Sequence, residues 1–280
     1  MGVTDDMSTE VKNREKESWN QFLSQMETFL RELNKPYSFG VLWTYTYRKN
    51  FEAILRLIGD VKDRTILDIG CGGGWLCEWF ALEGATTVGI DISLEFCRAA
   101  KERNRRKGLD SNFICADGEN LPFKENSFYA SVAYQSLHHL PNPEKAIEEG
   151  LRISEVFVLG DEPAKLLFPN FFVKLIKMLV LSKAHVGELS GIEEERFDSL
   201  VLFEKYRRKG YSVKFEKQWS MVPAVFSKME KYIVAKWIYK CIYNFLMKIE
   251  PIQNMGHGFT MIIERQERGE FYESLSWEHH

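Results

Sequence analysis

The chain has 280 residues, 45% of them hydrophobic and 28% charged, which is ordinary for a globular protein and long enough for a core domain with added segments. With 37 Lys and Arg against 40 Asp and Glu, the formal net charge is −3, which excludes a general electrostatic pull toward nucleic acid and leaves only a local basic patch open. No run approaches the roughly 20 apolar residues of a membrane span, the polar start lacks the apolar centre of an export signal, and five cysteines without paired close spacing fit a reduced, cytoplasmic setting with no metal site.

In chain order, residues 1–12 read as frayed. From Arg14 to Leu33 the apolar positions Trp19, Phe22, Leu23, Met26, Phe29, Leu30 and Leu33 recur at helical spacing, and Pro36 ends that helix. An aromatic stretch, Tyr37–Tyr47, leads to a second helix from about Arg48 to Ile58, stopped by Gly59. At Arg64 the rhythm changes. Strands are expected at Thr65–Ile69, Thr86–Ile90, Asn112–Cys115, Phe128–Ala133 and Glu155–Leu159, with helices Trp75–Glu83, Leu94–Lys107 and Pro143–Arg152 between them. Strand and helix in alternation predict a parallel sheet covered on both faces. After Glu162 the alternation breaks. Residues 164–183 are apolar with interspersed lysines, 193–209 read as a charged helix, Tyr211–Gln218 and Phe259–Glu264 as strands, and 221–250 as mostly helical and aromatic-rich. The ending Glu278-His279-His280 resembles a purification-tag remnant and enters no functional argument.

The strongest local signal is Thr65-Ile66-Leu67-Asp68-Ile69-Gly70-Cys71-Gly72-Gly73-Gly74-Trp75. A buried strand runs into a glycine-rich turn and then a helix, whose amino end offers unpaired N–H groups to an anionic group. A dinucleotide site calls for Gly-x-Gly-x-x-Gly. Gly70 and Gly72 match, but Trp75 stands at the third position, and Asp68 would repel a pyrophosphate while suiting an ammonium. A zwitterionic amino acid therefore fits this loop better. Asp91, ending the second strand, is placed to accept hydrogen bonds from ribose hydroxyls. Asp117, after the third, is placed to accept from an adenine amino group. Each acid has a plainer reading: Asp68 as a loop cap, Asp91 as a helix cap (although Ser93 is the better candidate) and Asp117 as a turn stabiliser.

Together with Ser127–Ala133 and Tyr134-Gln135-Ser136-Leu137-His138-His139-Leu140, these stretches resemble class I S-adenosylmethionine-dependent methyltransferases over about residues 64–162. The nearest flavour is the small-molecule branch with the ubiquinone and menaquinone C-methyltransferases, which shows Asp-Ile-Gly-Cys-Gly-x-Gly, Gly-x-Asp, Asp-x-x-x-Leu-Pro-Phe and Leu-His-His. One departure is Tyr129, where many relatives carry Asp. The resemblance implies an α/β, Rossmann-like seven-stranded sheet of order 3-2-1-4-5-7-6, with the seventh strand antiparallel and helical cap insertions. It implies S-adenosylmethionine as cofactor and S-adenosylhomocysteine as product. It assigns Asp68 and the loop Gly70, Gly72 and Gly74 to the methionine moiety, Asp91 to the ribose, Ile92 to packing on adenine, Asp117 and Gly118 to adenine, and Gln135 and Ser136 to the methionine end. Arg48, in the segment preceding the core, is a candidate for the cofactor carboxylate or else a surface residue.

Methyl transfer is an in-line displacement, so alignment and exclusion of water dominate, and a base is needed only when the acceptor loses a proton. His138 and His139 are candidates for that base, against a reading as packing residues before Pro141. Glu162, with Asp161 beside it at the end of the fifth strand, is either a substrate-facing acid or a loop acid. The expected organisation is a helical lid segment at 1–63, the cofactor-binding core at 64–163, a helical insertion at 164–209, the last core strands at 210–264 with a helical insertion at 221–250, and a tail at 265–280. The expected acceptor is a small apolar molecule enclosed by the two insertions, which otherwise form a dimer interface; residues 166–179 also leave peripheral contact with a membrane surface open. Two other functions stand against this one: a nicotinamide-dependent oxidoreductase, and a non-catalytic S-adenosylmethionine-binding subunit that scaffolds a partner.

Overall fold

The computed structural model describes residues 2–25, 40–163, 197–218, 233–246 and 258–265. Two helices, α1 (Gly2–Gln25) and α2 (Gly40–Ile58), precede the sheet. Then come β1 (Thr65–Ile69), α3 (Trp75–Leu82), β2 (Thr86–Asp91), α4 (Leu94–Arg106), β3 (Asn112–Cys115), β4 (Phe128–Tyr134), a short 3-10 turn (Leu137–His139), α5 (Pro143–Ile153) and β5 (Ser154–Pro163). The chain continues with α6 (Ser199–Arg208), β6 (Tyr211–Gln218), α7 (Ile233–Leu246) and β7 (Gly258–Arg265). The sheet order is β3-β2-β1-β4-β5-β7-β6, with β7 antiparallel to both neighbours.

Side chains alternate across each strand, so β1, β4 and β5 feed two cores. Leu67, Ile69, Phe157 and Leu159 pack with Ile147 and Leu151 of α5 and Leu202 and Tyr206 of α6. Ile66, Val132, Val156 and Val158 pack on the other face with Phe51, Ile54 and Ile58 of α2 and Leu76 and Phe80 of α3. Tyr129, the departure from the family pattern, donates to the Ile58 carbonyl at 2.8 Å and lies under the Arg64 guanidinium, tying the end of α2 to β4.

Strand positions match the sequence reading to within a residue, except that β5 runs on to Pro163 past a register shift against β7 between Leu159 and Glu162. The first two helices differ more. Helix α1 starts at Gly2 rather than Arg14, because polar residues with good helix propensity and a Glu10–Arg14 pair one turn apart extend it without an apolar stripe. Helix α2 starts at Gly40 and takes in most of the aromatic stretch. The readings at 164–183 and at Leu33 and Pro36 fall outside the described residues, as does most of 219–257. From the last segment α7 is described. It docks on the start of α2, where Thr46 Oγ1 and Tyr239 Oη lie 2.9 Å apart, buried, and Tyr45 donates to Asn244 at 3.2 Å.

Candidate cofactor and acceptor site

Parallel strands β1, β2 and β4 end side by side, and their carboxyl ends carry the chemistry-bearing residues. Asp68 shares the face of Ile66, which buries it under α3. Cys77 Sγ lies 3.5 Å from its Oδ2. Burial pushes the Asp68 carboxyl up to about 7, with the negative charge of Asp91 adding to the shift.

The loop that follows turns through left-handed backbone at Gly70, Gly72 and Gly74. A Cβ on Gly70 would stand 2.5 Å from that of Ser136, and one on Gly74 2.7 Å from that of Ala100, so neither position accepts a side chain. Above Gly72 and Gly73 a Cβ would meet nothing within 4 Å: the loop's outer face is open to a ligand. Ser136 closes over Gly70 and donates to the Ile69 carbonyl at 2.7 Å.

Asp91 braces the loop. Its Oδ2 accepts from Gly72 N at 3.0 Å and its Oδ1 from Ser93 N at 2.8 Å. Burial pushes its carboxyl up to about 6, and these two N–H bonds pull the other way. Ser93 is the α4 cap, accepting from Phe96 N, and half-buried Ile92 adjoins, its carbonyl accepting from the Cys115 thiol. Asp117 accepts from Glu119 N at 2.9 Å and from Asn120 at 2.8 Å, and Lys12 of α1 sits 2.8 Å from the same Oδ2. Burial pushes its carboxyl up, but the bonds from Lys12, the Glu119 amide and Asn120 outweigh it and hold the group below its ordinary value. Gly118 is buried against Ile69.

Gln135 and Asp161, at the ends of β4 and β5, both adopt positive φ without being glycine, which is backbone strain concentrated at the rim. Gln135 donates to Asp161 Oδ2 at 2.5 Å, joined there by Asn50 of α2 at 3.0 Å and the Tyr134 hydroxyl at 3.1 Å. Glu162, fully buried, accepts from the amides of Ser136 and Leu137 and lies 2.8 Å from His138 Nδ1. His139 lies 3.3 Å from Glu15 of α1.

Asp68, the loop glycines, Asp91, Ile92, Asp117, Gly118, Gln135, Ser136, His138, His139 and Glu162 therefore all lie at or just beyond the carboxyl ends of β1 to β5, the edge where open α/β sheets form their binding crevice. Arg48 does not join them. It is exposed, lies 3.4 Å from Glu83 just beyond the far end of α3, and spreads over the Phe51 and Trp79 rings. Sequence reasoning missed Lys12, Asn50 and Tyr134. The signal for α1 was a polar stripe at helical spacing, Lys12, Glu15, Trp19 and Asn20, all of which meet the rim: Trp19 packs on Phe96 and His139, and Asn20 accepts from Ser93. Among the described residues, no cluster of three or more His, Cys, Asp or Glu is placed to hold a metal, and no helix is long and apolar enough to cross a membrane.

A sheet of this order, with a glycine loop after β1 and acids after β2 and β3, is the arrangement that the resemblance to class I methyltransferases implies. Comparison with known proteins agrees: residues 67–155 match the family model described as a methyltransferase domain. The chain is 34% identical over 88 residues to a ubiquinone biosynthesis O-methyltransferase of Coxiella burnetii, covering 31% of this chain and 38% of that protein. It is 36% identical over 104 residues to a demethylmenaquinone methyltransferase of Paenarthrobacter aurescens, covering 36% and 40%. The matched part thus spans about two fifths of these relatives' length. The fold is shared with the magnesium protoporphyrin IX methyltransferase of Synechocystis, solved with bound SAH, at a TM-score of 0.51 and 14% identity over 79% of this chain and 84% of that one. The resemblance read from the sequence and the sheet order it implied are both borne out.

Proposed function

We propose that this protein transfers a methyl group from S-adenosylmethionine to a small apolar acceptor. The observation that carries the reading is the braced loop: three left-handed glycines, open space above Gly72 and Gly73, and Asp91 held to Gly72 N. Such a loop admits a ligand's backbone-like end to the strand termini, and Asp91 keeps acceptor capacity toward ribose hydroxyls. Asp68 and the loop would hold the methionine moiety, with Gln135 and Ser136 beside it; Asp117, Gly118 and Ile92 would hold the adenine. When bound, the cofactor supplies a methyl group on a positively charged sulfur. The residues of the chain align it and keep water out.

Nicotinamide chemistry fits less well. Trp75 stands where the third glycine of a dinucleotide loop would be, and it is built into an aromatic cluster, stacked on Tyr47 at 5.4 Å and edge-on to Tyr134 at 4.9 Å. Calorimetry decides between them: S-adenosylhomocysteine should bind in the micromolar range and NAD far more weakly. Heat with NAD and none with S-adenosylhomocysteine sinks the proposal.

For the acceptor, the names of both relatives concern quinones, and an aromatic cluster of Tyr47, Tyr134 and Trp75, whose Tyr134 adjoins Gln135 in the chain, would supply apolar walls. A prenylated aromatic with a ring hydroxyl suits those walls better than a sugar or a nucleotide. A short-chain prenylated catechol and a demethylmenaquinol are the probes. Turnover of polar acceptors only would remove the apolar assignment while leaving the methyl-transfer reading in place.

A further inference from the structure

Gln135 and Asp161 stand at the ends of the paired strands β4 and β5, both in left-handed backbone, with φ of 49° and 51°. Neither is glycine, and such backbone persists only where the surroundings hold it. Here the Gln135 backbone amide donates to the Gly160 carbonyl at 2.9 Å, and that of Asp161 donates to Thr260 Oγ1 of β7 at 3.2 Å. Three side-chain donors meet on Oδ2 of the buried Asp161: Gln135 Nε2 at 2.5 Å, Asn50 Nδ2 of α2 at 3.0 Å and the Tyr134 hydroxyl at 3.1 Å. Asn50 Nδ2 also donates to the Tyr134 oxygen at 3.0 Å. Burial, with the Asp161 charge adding to it, pushes the Tyr134 hydroxyl well up, so it keeps its proton and stays a donor.

An ionised carboxylate only accepts, and that decides which way the Gln135 amide is turned. Its nitrogen faces Asp161, so its carbonyl oxygen is turned away from that carboxylate. Among the described residues this Oε1 accepts no hydrogen bond, and the side chain is half-buried. The next residue, Ser136, closes over Gly70, which puts Gln135 on the same stretch of rim as the glycine loop. An amide that donates to a carboxylate is polarised by it, and its oxygen becomes a stronger acceptor. The best match for such an oxygen is a cation with N–H donors. The ligand end placed beside Gln135 by the reading above is an amino acid, whose ammonium is such a group.

Resting on that methyl-transfer reading, we propose that Gln135 links the ammonium of the ligand to Asp161, and that this link makes the site select adenosyl thioethers that carry an amino group. Asp161 is the positioning residue. It acts through Gln135, fixing which end of the amide faces outward and making that end more negative. Asn50 and Tyr134 fix Asp161 in turn, so helix α2 contributes to the selection without reaching the ligand. The ligand class is a nucleoside with a zwitterionic tail. A tail that carries only a carboxylate leaves the Gln135 oxygen without a donor.

Calorimetry tests this by comparing S-adenosylhomocysteine with its deaminated analogue, the adenosyl carboxypropyl thioether, whose tail keeps the carboxylate. Wild type should prefer the amine by about 10-fold or more. Gln135→Met keeps the side-chain length and removes the amide, and it should cut that preference by about 5–10-fold. Asp161→Asn keeps the shape and the tolerance of positive φ and removes the charge, and it should cut the preference by about 3–10-fold. In both variants, affinity for the deaminated analogue should stay within about twofold of wild type. A merely structural pair would weaken both ligands equally, and that result, or an unchanged preference in either variant, overturns the proposal. If Asp161→Asn does not fold, the Gln135 side-chain amide of the wild type decides by NMR, assigned by its absence in Gln135→Met. One of its protons should resonate well downfield of a solvated amide, as a short bond to a carboxylate requires, and an ordinary shift overturns the pairing. Equal binding of the two ligands by wild type would overturn this link alone. Failure of wild type to bind S-adenosylhomocysteine at all would instead sink the methyl-transfer reading and the link with it.

Discussion

The two ends of the crevice are prepared in different ways. At the glycine-loop end the bonds that hold the loop come from the core itself: Asp91 takes the amides of Gly72 and Ser93, and Ser136 takes the carbonyl of Ile69, with Asn20 of α1 adding only a bond to the Ser93 hydroxyl. These bonds form when β1, β2 and β4 pair. At the other end, Asp117 and Glu119 receive an ammonium from outside the core, Lys12 of α1, at 2.8 and 2.7 Å. The first end is set by strand pairing, whereas the second depends on where α1 lies. The second end thus rests on a lysine carried by α1 and shared between part-buried Asp117 and buried Glu119.

The largest expected effect falls on the core-built end, where readiness for a ligand opposes stability. Asp68 is buried with its carboxyl raised to about 7 from 3.8. A raised acid binds more protons folded than unfolded, so its contribution to stability falls as pH rises from about 4 to 7 and the penalty is complete above that. Asp68→Asn removes the penalty. It should stabilise the ligand-free protein by about 2–4 kcal/mol above pH 7, with the gain fading toward pH 4, while weakening S-adenosylhomocysteine binding. Thermal melts across that pH range check it. A variant less stable than wild type at pH 8 would mean that Asp68 holds the loop together rather than straining it.

Asp91→Ala comes next. Bonds to a charged acceptor are worth roughly 1.5–3 kcal/mol each, so losing two from the ribose should weaken S-adenosylhomocysteine binding on the order of 100-fold. The amides of Gly72 and Ser93 also lose their partner, so some stability should go with it, though the fold persists because the residue ends its strand. Calorimetry with unchanged affinity would take Asp91 out of the site.

A smaller effect of opposite sign is expected at the α1 end. Lys12 occupies the carboxylate oxygen that the adenine amino group would approach. Lys12→Met should therefore tighten S-adenosylhomocysteine binding by about 3–10-fold and remove part of its dependence on salt, since a screened ion pair competes less. Weaker binding in the variant would show that α1 clamps the ligand instead of competing with it, and the contrast between the two ends would shrink.

What was legible in the sequence follows the same division. The strands, the loop and the acids could be read because glycine, strand alternation and strand-end acids are each required locally. Asp91 needs only its neighbours Gly72 and Ser93 to be understood. Lys12 was illegible for the converse reason: its partner is 105 residues away, and a polar helix with no apolar stripe looks frayed when its packing partner is unseen. Glu162 read as either a substrate-facing acid or a loop acid, because nothing in Gly160-Asp161-Glu162-Pro163 shows that the turn after β4 folds back over it. The pair Gln135 and Asp161 was hidden likewise: Gln gives no signal of positive φ, and Asp, though enriched there, adopts it at only a few of its positions.

Arg48 supplies the smallest effect and a check on how far the added helices move. It precedes the core in a segment that in similar enzymes closes over the cofactor, which made it a candidate for the carboxylate. In the structure it sits beyond the end of α3 that faces away from the glycine loop, exposed, 3.4 Å from Glu83 and 3.8 Å from Glu52. A guanidinium in solvent with two part-exposed partners contributes little, about 0–1 kcal/mol to stability, and its place over Phe51 and Trp79 adds mainly packing. Helix α2 is not free to carry it across to the loop: Phe51 and Ile54 are fully buried beneath the sheet, and Asn50 is held by Asp161 and Tyr134. Arg48→Ala should therefore leave S-adenosylhomocysteine affinity within about twofold of wild type and lower the thermal midpoint by no more than a few degrees. A tenfold loss of affinity at unchanged stability would require α2 to shift on binding, so that the whole segment before β1, and not α1 alone, would count as the movable end of the crevice.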